Sequence, residues 1–137
     1  MVEVYDTNFM PVSMSAGAFT DPMIPAGFAP FNVLNIDGNP FVSFVMQEQP
    51  DRKDEVDGAG LGYVDVFDGS GVLLSRLQQG KWMDAPWGMV HAQQISANGA
   101  TVCWLASSAA AKSRRSMQKS GAFQGLLRGS KGKPIKH

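Results

Sequence analysis

One order of elements, hairpin then loop then Ala-Pro-aromatic motif, runs twice through this 137-residue chain, and a self-repeating chain folds as an array of like units. Residues 2–6 (VEVYD) and 62–68 (GYVDVFD) alternate β-branched or aromatic residues with acidic ones, the period of half-buried strands. Each runs into a polar turn and a second apolar stretch: Thr7-Asn8 then Phe9 to Met14, and Gly69-Ser70-Gly71 then Val72 to Leu77. Both pairs predict hairpins, the second through the favoured turn pair Asp68-Gly69. A third shared element follows, Ala29-Pro30-Phe31-Asn32-Val33 against Ala85-Pro86-Trp87-Gly88-Met89. The hairpins stand 62 residues apart (Asp6 to Asp68) and the motifs 56 (Pro30 to Pro86), so one loop differs by six residues.

Between the copies, Asp37-Gly38-Asn39-Pro40 reads as a turn opening a strand from Phe41 to Met46, and Gln47 to Gly60 as a polar loop. A partial third copy lies near the C-terminus, where Ser120-Gly121-Ala122-Phe123 matches Ser70-Gly71-Val72-Leu73 at an offset of 50 without the V-x-V-F-D strand expected ahead of it. Repeated short antiparallel strands predict an all-β chain of the β-propeller kind, in which each unit buries its faces against its neighbours. The composition agrees: 15 Gly and 8 Pro favour turns over long helices.

The runs VYDTNFMPVS, GAFTDPMIPAGFAPFNVLNI, GYVDVFDGSGVLLSRL, APWG and SGAFQGLLRGSKGKPI resemble a family of uncharacterised bacterial NHL-like β-propeller proteins, some of them exported and ending in a PEP-CTERM sorting tail. The resemblance covers residues 2–91 and about 119–135. It implies four-stranded blades and an extracytoplasmic or secreted setting for full-length members, and it carries over no catalytic residue. At ~40–50 residues per blade, the chain holds two to three blades of an incomplete ring, the remaining blades being missing.

Charge divides the chain. All twelve acids lie in residues 1–84, where four bases leave a net −8, while residues 85–137 carry eight bases and no acid. The resemblance lapses over residues 92–118, and Ala and Ser supply 13 of the 29 residues from Ala92 to Ser120. Such bias is what a GC-rich gene yields when read out of frame. Moving the frame back by one base from His91 permits the peptide RPADFGEWGHRLLAGQFGSGEIAVDA, with an apolar strand, a turn and an acid-bearing strand where the repeat expects them. Residues 92–118 are therefore read as an out-of-frame segment within one partial propeller domain, 1–137. The Ala run gives residues 104–116 helical propensity, so a spurious helix is expected there.

Candidate chemistry is sparse. Lys112, Arg114, Arg115, Lys119, Arg128, Lys131, Lys133 and Lys136 would neutralise phosphates, but no aromatics interleave them to stack bases, and nucleic acid is not an expected partner. Asp51, Asp54, Glu55 and Asp57 offer oxygens for a hard cation without the spacing of a calcium loop; a solvated connection is the simpler reading. Asp6, Asp68 and Asp84 recur at strand ends, where carboxylates accept turn amides. His91 and His137 sit in no recognisable catalytic pattern, and Cys103, the single cysteine, adjoins Trp104 inside the Ala/Ser-rich stretch. Phe28, Phe31, Trp82 and Trp87 suit either a ligand groove or packing between units.

No catalytic, cofactor-binding or metal-binding residue is assigned. The longest apolar runs, such as Phe41 to Met46, fall well short of the ~20 residues of a membrane helix, and the N-terminal MVEVYDTNF has no export-signal pattern. The expected function is a noncatalytic scaffold for an unknown ligand or protein. The alternatives are a propeller-type lyase or hydrolase lacking its active-site blades, and nucleic-acid binding through the basic C-terminal half.

Overall fold

The computed structural model describes residues 1–92, 102–107, 114–117 and 121–126. They form two four-stranded antiparallel sheets, each a simple meander. The first contains β1 (Phe28–Ile36), β2 (Asn39–Met46), β3 (Gly62–Phe67) and β4 (Leu73–Arg76), and the second β5 (Pro86–Ala92), β6 (Val102–Ser107), β7 (Arg114–Met117) and β8 (Phe123–Leu126). Neither a helix nor a closed ring of sheets occurs among the described residues.

The Ala-Pro-aromatic motif is a strand with a bulge. In the first sheet Pro30 stands opposite Phe44 and Asn32 opposite Ser43, leaving Phe31 as the extra residue; in the second, Pro86 stands opposite Ser107 and Gly88 opposite Ala106, leaving Trp87. Proline has no N–H to give a ladder, which suits it to an edge strand beside a bulge. β1 and β5 are both the free first strands of their sheets.

β2 is buried along most of its length because both faces of the first sheet are covered. Phe41, Val64 and Val66 look toward the second sheet and pack with Ile36, Leu77, Met83 and Leu105. Val42, Phe44 and Phe67 look the other way, onto Phe19 and the N-terminal Val2, Val4 and Met14. Residues 15–26, which lead into β1, lie over the β3–β4 turn through a 2.8 Å bond from the Phe19 N–H to the Gly71 carbonyl. The corresponding bond on the second sheet runs from the Gln78 N–H to the Gly121 carbonyl at 2.7 Å. Each fully buried side chain such as Phe41 removes about 1.5–3 kcal/mol of apolar exposure.

Three expectations change. Residues 104–107 belong to β6 and 114–116 to β7, so the helix expected over 104–116 is absent there; propensity is a weak prior that pairing with β5 and β8 overrides, and the Ala run itself, 109–111, lies outside the described residues. The strand expected ahead of Ser120-Gly121 is present as β7. The strand over 62–68, expected to be half-buried, is covered on both faces, and its Asp65 is fully buried because the lead-in segment lies over that side. Of the segment read as out of frame, Ala92, β6 and β7 are described; residues 93–101, 108–113 and 118–120 lie outside the described residues, as do 127–137.

Candidate functional site

The first strands carry part of the apolar surface that the core leaves uncovered, with more on the N-terminal and β3–β4 hairpins at Phe9, Met10, Val72 and Leu74. Phe31 and Val33 on β1, and Trp87 and Val90 on β5, are each about half exposed. The two bulges touch: the Asn32 side-chain amide donates to the Trp87 carbonyl at 2.7 Å. Beside β1 runs a groove of about 280 Å3, bounded by Met1, Val2 and Glu3 on one side and Pro30, Phe31, Asn32 and Val33 on the other, with Val42 at its base. Its lining mixes the apolar Val2, Pro30, Phe31, Val33 and Val42 with polar groups, among them the Glu3 carboxylate and the Asn32 amide, a surface with room for an extended partner. A further cavity of about 430 Å3 lies between the lead-in segment and the N-terminus, lined by Phe19, Asp21, Ile24, Phe28 and Phe44 among others.

The ionisable groups that the fold gathers are on the first sheet. Arg76, at the end of β4, pairs with Asp65 on β3 at 3.0 Å and with Asp21 of the lead-in segment. Its guanidinium also lies 4.9 Å above the Tyr63 ring. One Asp65 oxygen is buried without a hydrogen-bond partner. Two carboxylates here share a single cation, and burial pushes the Asp65 carboxyl up to about 6, against the pull of Arg76. The arrangement is a clamp: it fastens residues 15–26 to the sheet from inside.

The strand-end aspartates take turn amides. Asp6 accepts the N–H groups of Asn8 and Met10 at 2.8 and 2.9 Å, and Asp68 those of Ser70 and Val72 at 2.8 and 3.0 Å. The Ser70 hydroxyl and these amides hold the Asp68 carboxyl below the usual carboxylate range. Asp84 accepts the Gly58 N–H at 2.7 Å and pins the polar loop to the strand that follows it.

The remaining candidates separate. Asp51 is exposed and paired with Lys53 at 3.4 Å, and no group of three potential metal ligands occurs among the described residues. His91 lies on β5 opposite Cys103 on β6. Arg114 and Arg115 lie on β7; His137 and the other six members of the basic cluster lie outside the described residues. Trp82 stacks on Phe123 at 4.4 Å and Phe28 meets Tyr63 edge-on at 4.9 Å, both packing contacts, whereas Phe31 and Trp87 face outward. Sequence reasoning missed Asp21, Asp65 and Arg76. The D-x-F of β3 and the lone arginine ending β4 were their only trace, since the covering segment is distant in the chain.

The chain matches no family profile, and no solved structure is significantly similar to it. It is similar to three uncharacterised proteins of Acanthamoeba polyphaga mimivirus. Protein R640 is 32% identical over 93 residues, 66% of this chain and 18% of its own length. R648 is 26% identical over 94 residues, covering 66% of this chain and 23% of its own. L690 is 29% identical over 96 residues, 66% of this chain and 25% of its own. The chain thus spans a quarter or less of the relatives it matches. These viral relatives overturn the expected bacterial NHL-like kinship, which rested on short turn and strand motifs that any hairpin array reuses. Among the described residues no helix is long and apolar enough to cross a membrane.

Proposed function

We propose that this chain is a noncatalytic binding scaffold, a segment of a β-propeller made of four-stranded units, with its partner surface along the first strands. The observation that carries the reading is the pair of bulges, which repeats one unusual backbone feature at Phe31 and Trp87 and brings the two sheets together there. Stacking is repeated as well. Val64 and Val66 turn toward the second sheet, and Val2 and Val4, 62 positions earlier, pack on the first. Units that hand the same face to the next neighbour form a one-dimensional array, and twisted sheets stepping round an axis place their first strands innermost. Exposed aromatics on those strands, one per unit, then line the channel mouth where such arrays hold partners. The buried ion pairs support the noncatalytic part, since Asp65, Arg76 and Asp21 hold a covering segment in place.

The test is cooperativity. In an array, truncating Leu105→Ala at the junction of the two sheets removes a neighbour contact and separates unfolding into two transitions, one per sheet. A single shared core instead loses stability while keeping one transition, and that outcome refutes the array.

A further inference from the structure

We propose that the outer edge of the N-terminal hairpin, at Glu3 and Tyr5, is a docking site for one extended protein strand that pairs antiparallel to residues 2–6 and lies in the groove against β1. Among the described residues, the N-terminal hairpin is a copy of the β3–β4 hairpin without the strand beside it. Their turns agree bond for bond: Asp6 and Met10 exchange a 2.9 Å backbone bond, Asp68 and Val72 one of 3.0 Å, and each aspartate caps the two following amides described above. The left-handed residue of the turn is Phe9 in one and Gly71 in the other.

Backbone direction identifies the vacant side. The Val4 carbonyl accepts the Val12 N–H and the Asp6 N–H donates to Met10, so Val4 and Asp6 turn inward to their own hairpin. Alternation then turns the N–H and C=O of Glu3 and Tyr5 outward. Their equivalents 62 positions on are Asp65 and Phe67, of β3, the strand that pairs on this side with β2. Exposure tells the same story: Phe67 is fully buried and Tyr5 is 53% exposed. The groove runs alongside this edge from Val2 and Glu3 toward Phe31 and Val33.

β2 supplies the chemistry of the occupant. In the first sheet Phe41 stands opposite Val66 and Val42 opposite Asp65, and both faces of β2 are buried. A strand seated beside residues 2–6 meets Tyr5 on one face and β1 with Val42 on the other, so it is apolar at successive positions on both faces. That sequence requirement rests on the array reading above; the edge itself rests on the hydrogen bonds. Backbone pairing supplies affinity and the alternating side chains supply selection, the mode of strand addition.

The probe is a synthetic peptide of the β2 sequence NPFVSFVM with lysines at each end for solubility, added to the full chain. Saturable binding is expected, with amide exchange slowed at Glu3 and Tyr5. Glu3→Pro removes one outward N–H and leaves the Val4–Val12 bond, so it is expected to weaken binding by about tenfold. A peptide N-methylated on the amides that face the edge, tested on the unaltered chain, is expected not to bind. Undiminished binding to Glu3→Pro, or protection confined to other residues, overturns the site. Concentration-dependent protection of Glu3 and Tyr5 with no peptide present overturns the partner, since a second copy would then be the occupant. Equal, Glu3-dependent binding of a scrambled peptide keeps the edge and removes the array's claim on the strand's sequence.

Discussion

Gly71 and Phe9 hold the same place in two copies of one turn, so replacing each tests the repeat with opposite signs. At Gly71 φ is +84°, and a β-carbon would stand 2.7 Å from the Ala18 Cβ and 3.0 Å from the Phe19 nitrogen. A left-handed conformation costs an L residue ~1–2 kcal/mol, and forcing extra volume into a packed contact costs ~1–3 kcal/mol. Gly71→Ala is therefore expected to lose about 2–5 kcal/mol, or about 6–25 °C at roughly 3–5 °C per kcal/mol for a chain of this length. Phe9 has φ +61° and is 87% exposed, so it has strain to release and almost no packing to forfeit. Phe9→Gly regains the ~1–2 kcal/mol of strain and gives back up to ~1 kcal/mol through the freer unfolded chain, a net gain of about 0–2 kcal/mol. Urea unfolding followed by tryptophan emission and far-ultraviolet dichroism, fitted with a common slope, measures both. Gly71→Ala within about 0.5 kcal/mol of the parent, or Phe9→Gly losing stability, refutes the equivalence of the two turns.

Asp65 makes stability depend on pH. Its folded carboxyl titrates near 6 against an ordinary 3.8, so the folded state keeps a proton that the unfolded chain releases. The contribution is complete below 3.8 and is lost as pH rises through about 6; Asp65→Asn is expected to flatten melting temperature over that window, and an unchanged profile refutes it. Asp68 acts in the opposite sense, its support present above the ordinary carboxylate value and lost as pH falls, so Asp68→Asn should lower the melting temperature at pH 7 more than at pH 3. Phe41→Ala empties a fully buried position and is expected to cost about 3–5 kcal/mol by urea titration. Sequencing the gene across residues 92–118 is expected to reveal two compensating frame changes; an undisturbed frame in independent isolates removes that reading.

The parts of this fold legible in the sequence were those whose cause is local. The Asp68-to-Gly71 turn is written in four consecutive residues, and a carboxylate accepting nearby amides needs nothing from elsewhere. Pro30 and Pro86 marked equivalent places, but that they introduce bulges depends on partner strands which the motif does not contain. Over 104–107 a local rule gave the wrong element: the helical propensity assigned to the stretch yielded to a sheet because β5 was there to pair with Trp104 to Ser107. Asp65 escaped notice for a related reason. Alternation reports that a strand has two faces, and only the lead-in segment, some forty residues away at Asp21, decides that neither meets water. The groove beside Glu3 was likewise invisible, since its two walls come from the N-terminus and from β1.

The amide of Asn32 reaches across to the Trp87 carbonyl, but the residue in Asn32's position on β5 is Gly88, which has no side chain with which to reach anything. The side-chain rung between neighbouring bulges is thus built once and cannot be passed on from β5. A directional polar link helps set the spacing between the two sheets, and in the proposed array a unit beyond the second would meet Gly88 where the first presents Asn32.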